Sequence, residues 1–288
     1  MAEALDVVLR AHDPARLTEL RRAVFSLLCQ EYRPLTVRLV TQRFSPREQQ
    51  ALKEALADLA ALDPALRLDI ANHPGGPADA RAALLNLGLS RADGRWLAFL
   101  DYDDTTHPGG YAALIGELRA SGCAVAFGTV RLKTVEIVGD GFFCDAQQAI
   151  THGRTLGDLL ARNFCPVHSF VIDRHMLAAT GLSFDEGLTL MEDYEFLLRL
   201  CARERSSFAL RDHVMGDYYY KRDGSNTVPV EDALSAAQGQ AWQDIAARIE
   251  RRREQIVVSP VVQDSLGLVA QAGLNINAVL ARLRARDG

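Results

Sequence analysis

Asp101, Asp103 and Asp104 follow directly on the apolar run Trp96-Leu97-Ala98-Phe99-Leu100, with Tyr102 between the first two acids. Such a run is expected to form a strand buried on both faces. The acids then stand where that strand leaves the sheet, the end at which open α/β sheets hold ligands. Carboxylates crowded this closely repel one another and raise one another's pKa if nothing compensates them. A hard cation such as Mg2+ or Mn2+ removes the repulsion and brings phosphate oxygens with it. The segment therefore predicts a metal–diphosphate site. The competing reading is a set of turn and helix-capping aspartates, a use for which Asp is favoured.

Two further groups carry chemistry. Met191-Glu192-Asp193-Tyr194-Glu195 opens an apolar stretch. Acids in the first turn of a helix are favoured by the macrodipole, but a carboxylate held in a cleft can also take the proton of an acceptor hydroxyl as a new bond forms. In Tyr218-Tyr219-Tyr220-Lys221-Arg222-Asp223-Gly224-Ser225-Asn226 aromatic residues give way to a basic pair. Lys221 and Arg222 could neutralise a diphosphate leaving group, and Asp223 could reach a metal. The alternative is an edge strand running into a surface turn. The seven histidines are scattered, with no H-x-x-H or H-E-x-x-H spacing, so no zinc site is expected. His168 and His213 are singled out for their place in the half of the chain that carries the second and third groups, and each is read as structural before catalytic. Gly75-Gly76 forms no G-x-G-x-x-G fingerprint, and no G-x-x-x-x-G-K-[ST] loop occurs.

The elements that must position these residues are legible in the pattern. Strands are predicted at Leu5–Ala11, 35–40, 66–71 and 97–100, and helices from Leu17 to Leu28, over Pro46–Leu62 and over 80–90. Pro14 and Pro46 suit helix starts, and His73-Pro74-Gly75-Gly76-Pro77 is a loop by its turn chemistry. This alternation predicts a parallel sheet with right-handed crossovers. Beyond Pro108 a helix is expected over 111–120, strands over 125–133 and 135–138 as a pair, and helices over 156–162, Glu192–Arg203 and most of 231–288. The fold class is α/β, a Rossmann-like, mostly parallel sheet flanked by helices with a C-terminal helical extension.

Composition narrows the class. The chain has 288 residues, 48% of them hydrophobic, and a net charge of −5. With no basic excess to replace condensed counterions, a nucleic-acid partner is not expected. The five cysteines form no C-x-x-C pair and are read as buried thiols of a reducing compartment. No secretory pattern or membrane-length apolar run is seen, so a cytoplasmic protein is expected, with peripheral contact at the inner membrane face as a variant. The apolar residues beyond Glu231 are assigned first to core packing, with subunit pairing into a homodimer or membrane contact as alternatives.

Taken together the motifs resemble glycosyltransferase family 2, over roughly residues 5–226. Ser26-Leu27-Leu28-Cys29-Gln30-Glu31-Tyr32 is similar to that family's S-L-L-x-Q-x-Y. Asn86-Leu87-Gly88-Leu89, then Ala92-Asp93-Gly94-Arg95-Trp96 through Asp104, resembles its N-x-G-x and A-x-G-x-[YW]-[IL]-x-F-L-D-x-D-D. Gly181-Leu182-Ser183-Phe184-Asp185-Glu186-Gly187-Leu188 resembles its G-x-F-D-E-x-L, Glu192-Asp193 its E-D pair, and Tyr220-Lys221 to Gly224-Ser225 its late Y-R…G-S turn.

The resemblance implies a GT-A fold, a nucleotide-sugar donor (UDP-, dTDP- or GDP-linked), and inverting transfer to a glycan, lipid-linked or small-molecule acceptor in bacterial surface-glycan or secondary-metabolite assembly. It implies a donor-binding part over 1–105, an acceptor-binding part over 106–230 and an extension over 231–288. Asp193 would be the base with Glu192 beside it. Asp101, Asp103, Asp104 and Asp223 would serve Mg2+ or Mn2+. Ala11, Asp13, Gln42, Arg81, Asp101, Lys221 and Arg222 would meet the donor. The chain departs from the family where V-D-D-G-S is usual, reading Val40-Thr41-Gln42-Arg43-Phe44-Ser45; Gln42 offers a base both a donor and an acceptor. It also reads Arg10-Ala11-His12-Asp13 for P-x-Y-N, and Leu85 where Arg often precedes Asn86, with Arg81 one turn earlier on the same face. Two other classes compete. Asp101-Tyr102-Asp103-Asp104-Thr105 also fits D-x-D-x-T, the nucleophile loop of haloacid-dehalogenase-type phosphatases. A catalytically degenerate nucleotide-sugar-binding module is the other.

Overall fold

Residues 3–77, 79–139, 141–150, 152–177, 183–223, 226 and 236–287 are described in the computed structural model. Of the motif residues above, Gly181, Leu182, Gly224 and Ser225 lie outside the described residues. The chain opens as the alternation predicts: β1 (Leu5–Ala11), α1 (Leu17–Leu28), β2 (Leu35–Gln42), α2 (Pro46–Leu62), β3 (Leu66–His73), α3 (Arg81–Arg91) and β4 (Trp96–Asp101). The four strands are parallel neighbours in the order β4-β1-β2-β3.

Alternate side chains of these strands feed two cores, because successive residues point to opposite faces. Leu5, Val7 and Leu9 of β1 and Trp96, Ala98 and Leu100 of β4 pack with α1 and α2. Val8, Leu97 and Phe99 pack on the other face with α3. Gly88 belongs to that contact: a Cβ there would run into the Val8 side chain, so only glycine lets α3 lie this close to β1. The turn into β4 is tied from below. Buried Asp6 accepts the Asp93 and Gly94 amides at 2.9 and 2.6 Å and pairs with Arg38 at 2.8 Å.

The rest of the chain is β5 (Thr105–Thr106), α4 (Gly110–Ser121), β6 (Val125–Phe127), β7 (Thr129–Val138), β8 (Gly141–Ala149), α5 (Leu156–Ala161), β9 (Phe170–Asp173), α6 (Glu192–Arg203), β10 (Ser206–Ser207), β11 (Val214–Lys221), α7 (Ala236–Gln255), α8 (Pro260–Ser265) and α9 (Ile276–Asp287). Among the described residues, β10-β6-β9-β4-β1-β2-β3 form one sheet and β5-β11-β7-β8 a second. β9 runs antiparallel to β4 and β6.

Two expectations change here. The strand predicted over 125–133 breaks at Gly128, whose amide donates to the Ser169 carbonyl at 2.8 Å as the chain crosses from the first sheet to the second. Residues 129–138 are then one strand, and its antiparallel partner is β8, not a piece of itself. Tyr218–Tyr220 lie in β11, which pairs β7 along its length and β5 only at Gly216 and Asp217. Cys123, Cys165 and Cys201 are buried, but Cys29 and Cys144 are exposed.

The C-terminal helices pack into the core with α5 and α6 through Ile245, Ile249, Val262, Ile276 and Val279. Arginines of α7 add polar ties. Arg248 and Arg252 both reach Asp185 at 2.7 Å, and Arg253 donates to the Tyr194 hydroxyl at 2.6 Å. Among the described residues no helix is long and apolar enough to cross a membrane.

Candidate active site

The carboxyl ends of β1, β2 and β4 open into a cavity of about 310 Å3, closed on its far side by β11. Its walls bring together Arg10 and His12, Gln42, Arg81, the loop Asp101–Asp104, and Tyr218 with Lys221. The acidic loop is held from behind by the S-L-L-x-Q motif. The Gln30 amide donates to Thr106 Oγ1 at 2.9 Å and to the His107 carbonyl at 2.7 Å, while Ser26 Oγ accepts the Thr106 amide at 3.2 Å. Those bonds fix the chain just after the acids.

The three acids do not converge. Asp101 is gripped through both oxygens by the Arg10 guanidinium. Burial pushes its carboxyl up, but the charge and hydrogen bonds of Arg10 outweigh that and hold it below the usual range. Asp103 pairs with the Lys221 ammonium, and Arg22, seated between the Phe142 and Tyr219 rings, donates to the Asp103 carbonyl at 2.9 Å. Asp104 is 2% exposed and accepts the Tyr219 amide at 2.9 Å. Burial, then the charges of Asp103 and Asp101, push its carboxyl well above the usual range. Behind it lies His168, wholly buried, its ring parallel to Tyr218 and its Nδ1 3.4 Å from Asp104 Oδ2. Burial pushes this imidazole down to about 4, so it is neutral at pH 7.

This arrangement corrects the first premise drawn from the sequence. The crowded acids are not uncompensated, because Arg10 and Lys221 already supply counter-charges. Among the described residues no group of three or more His, Cys, Asp or Glu side chains is arranged to hold a metal ion.

Glu192 and Asp193 open α6 directly after Met191, which sits in the left-handed region at φ 59°. A non-glycine residue there costs about 1–2 kcal/mol. Glu192 is 3% exposed and accepts from Arg10 at 2.7 Å, with Arg81 4.0 Å away. Asp193 is half-buried, and its own carboxylate accepts the Tyr194 amide at 2.7 Å. Burial, then the adjacent Glu192 charge, push the Asp193 carboxyl up to about 7. Neither Glu192 nor Asp193 is among the residues that line the cavity; their link to it is Arg10, which lines it and bonds Glu192.

The remaining predicted residues divide. Gln42 and Arg81 line the cavity; Gln42 donates to the Pro77 carbonyl at 2.8 Å, and Arg81 pairs with Asp79 at 2.7 Å. Lys221 lines it as well. Ala11 is buried in the core of β1, and Asp13 turns to the Ala15 amide at 2.9 Å. Arg222 leaves the cavity for Asp145, and Asp223 pairs with Arg16 at 3.0 Å. Ala11 and Asp13 lie outside the cavity lining because one points into the core and the other into its own turn, and Arg222 and Asp223 because the chain leaves β11 after Lys221. His213 is not at the cavity. The sequence reading passed over Arg10 as a site residue. Its signal was a lone cation ending an apolar strand, which requires buried partners.

The comparisons with known proteins follow this geometry. Residues 51–214 match the glycosyltransferase-like family 2. The chain belongs to that family. Family 2 membership is accompanied by 30% identity over 217 residues to the succinoglycan biosynthesis protein ExoO of Rhizobium meliloti, covering 71% of this chain and 57% of that protein. The chain thus spans little more than half the length of that relative. The S. aureus protein TarS, as its 1–349 fragment, superposes with a TM-score of 0.60 at 12% identity, covering 98% of this chain and 72% of that one. Its complex with UDP gives 0.60 at 13% identity, with 98% and 71% covered. The complex with UDP-GlcNAc gives 0.54 at 15%, with 98% and 88% covered. At such identities the likeness concerns fold: this is a GT-A-type glycosyltransferase fold, as the motifs implied.

Proposed function

We propose that this family 2 glycosyltransferase moves a sugar from a nucleoside-diphosphate donor to an acceptor hydroxyl with inversion, using Asp193 as the base. The observation that supports the reading is the double grip of Arg10, a cavity-lining residue that bonds both Asp101 of the acidic loop and Glu192, the neighbour of Asp193. A base set close to a diphosphate-binding loop is what a single in-line displacement needs.

In this reading Gln42 and Arg81 meet the nucleoside and Lys221 neutralises the diphosphate. Asp193 takes the proton of the acceptor hydroxyl as oxygen attacks the anomeric carbon. The bond from that carbon to the diphosphate oxygen breaks on the opposite face. A residue titrating near 7 suits that task, since the base is then ionised at neutral pH yet basic enough to accept the proton.

A divalent ion, Mg2+ or Mn2+, fits the residues present in one way. Asp103 is the loop acid whose carboxylate is neither held by arginine nor buried, being 21% exposed on the cavity, but it is paired with Lys221, so an ion would have to take the place of that ammonium as Lys221 turns to the donor phosphates. One carboxylate with substrate phosphates and water is the usual protein share of a Mg2+ site. When bound, the ion would stabilise charge on the departing nucleoside diphosphate. Asp104 would then support Asp103 from below.

The likeness to a succinoglycan biosynthesis protein supports a role in bacterial glycan assembly; a glycan or lipid-linked acceptor and a cytoplasmic site of action are part of the proposal. The test is a thermal-shift screen of UDP, dTDP and GDP with and without Mn2+, followed by turnover of the matching sugar nucleotides. A metal-dependent shift with one base, and loss of turnover in Asp193→Asn, is the expected result. No shift with any of them overturns the reading.

A further inference from the structure

Arg10 occupies an unusual place. It is the penultimate residue of β1, flanked by the wholly buried Leu9 and the nearly buried Ala11, and its side chain is 13% exposed. The parallel register sets it beside Asp101 of β4, so that contact follows from the sheet itself. Glu192 is different. It arrives through space from the first turn of α6, and that turn has no side-chain cap: Met191 is the N-cap residue and contributes no hydrogen bond from its side chain. The first turn of α6 is held by several side-chain bonds, among them Arg10 to Glu192 at 2.7 Å, the Tyr194 hydroxyl to the Leu159 carbonyl at 2.9 Å and Arg199 to Glu195 at 2.9 Å, and of these the Arg10–Glu192 bond is the one that ties the turn to a cavity-lining side chain.

We propose that Arg10 is a positioning residue for the transfer: by holding Asp101 and Glu192 with one rigid fork, it sets where the Asp193 carboxylate stands relative to the donor. The inference rests on the reading of Asp193 as base. The planar guanidinium suits this task because it spans two carboxylates in fixed directions, which a single ammonium cannot do. Arg10 acts through Glu192 and carries no proton in the reaction. Its removal leaves the nucleoside end of the cavity, at Gln42 and Arg81, and the Asp103–Lys221 pair untouched.

The experiment compares full-length wild type with Arg10→Lys, Arg10→Met, Glu192→Gln, Asp193→Asn and the double variant Arg10→Met/Glu192→Gln. Binding of UDP, dTDP and GDP with Mn2+ is measured by calorimetry. Turnover of UDP-GlcNAc, GDP-mannose and dTDP-glucose is followed by nucleoside-diphosphate release. Displacement of a catalytic group by about 1 Å costs about 10²-fold, so Arg10→Met should lower kcat about 10²-fold and Arg10→Lys about tenfold. Because Arg10 also lines the cavity and holds Asp101, donor KM and nucleoside-diphosphate Kd are expected to rise as well, so the positioning role is read from kcat at saturating donor. The double variant should be no slower than Arg10→Met, since two residues acting through one bond are not additive. Arg10→Lys keeps the charge and provides a folded variant should Arg10→Met be too unstable to purify. Unchanged kcat in the Arg10 variants, a KM rise with kcat intact, or additive losses in the double variant would each overturn the inference while Asp193→Asn remains inactive. A wild-type protein that turns over none of these donors, or an active Asp193→Asn, overturns the underlying reading and the inference with it.

Discussion

The Asn86 side chain clasps the backbone of Phe184: its Oδ1 accepts the Phe184 amide at 2.7 Å and its Nδ2 donates to the Phe184 carbonyl at 3.0 Å. A single amide thus serves both polar groups of one residue, as a neighbouring strand would. The same Nδ2 also donates to Glu186 at 2.8 Å. This joins α3 to the Phe184–Glu186 segment, and Asp185 of that segment is in turn tied to α7.

Asn86→Ala should therefore destabilise the protein by about 2 kcal/mol, since a backbone amide and carbonyl beside the buried Phe184 lose their partners. Chemical denaturation checks the magnitude. Binding of a nucleoside diphosphate should survive, because Asn86 does not line the cavity.

The pH dependence follows from Asp193. Its carboxyl is held up near 7, and the base must be ionised, so kcat/KM should fall as pH drops below about 7. Glu192→Gln removes a charge that pushes this group up, so the acidic limb should move to lower pH. Rate–pH profiles of wild type and Glu192→Gln decide it; a limb that stays in place shows that another group titrates. In Asp193→Asn, transfer should drop by about 10²-fold or more with donor binding spared.

Removal of the divalent ion with EDTA should abolish donor binding, and Mn2+ or Mg2+ should restore it. Asp103→Ala should lose that response permanently, whereas Asp103→Glu, which keeps the carboxylate, should recover part of it. Calorimetric titration of nucleoside diphosphate with and without Mn2+ reads both effects. Equal affinity in wild type and Asp103→Ala would contradict the assignment of the ion to this residue.

Gly88→Ala tests the packing beneath the site. The added methyl collides with Val8 in the densest layer between α3 and β1. Overpacking of this kind costs about 1–3 kcal/mol, to be seen as a lowered Tm. Gly116→Ala, where a Cβ meets nothing, should leave Tm unchanged or slightly raised.

Local signals explain which features could be read before the structure. The bounds of α2 were legible because Pro46 and a Ser45–Glu48 capping box mark its start. β4 was legible because its apolar run ends abruptly in acids. β8 was missed because all nine of its residues are exposed, so no buried face imposes alternation on Gly141–Ala149. β9 was missed because four residues carry too little pattern. At the site, the motifs located the acids but not their partners. Arg10 meets Glu192 only after most of the chain has been laid down, and no spacing encodes that encounter. Lys221 and Arg222 are adjacent and chemically alike, yet only the former faces the cavity, a matter of strand phase.

β4 owes one of its two edges to β9, and that debt has a consequence for synthesis. β1 through β4 precede Phe170–Asp173 in the chain, so a nascent chain that forms them first leaves Trp96 and Leu97 of β4 bare on the side that β9 later pairs. An unpaired apolar edge invites pairing with another chain. Cellular yield of this protein should thus respond to translation speed and chaperone supply more than the stability of the finished enzyme would suggest.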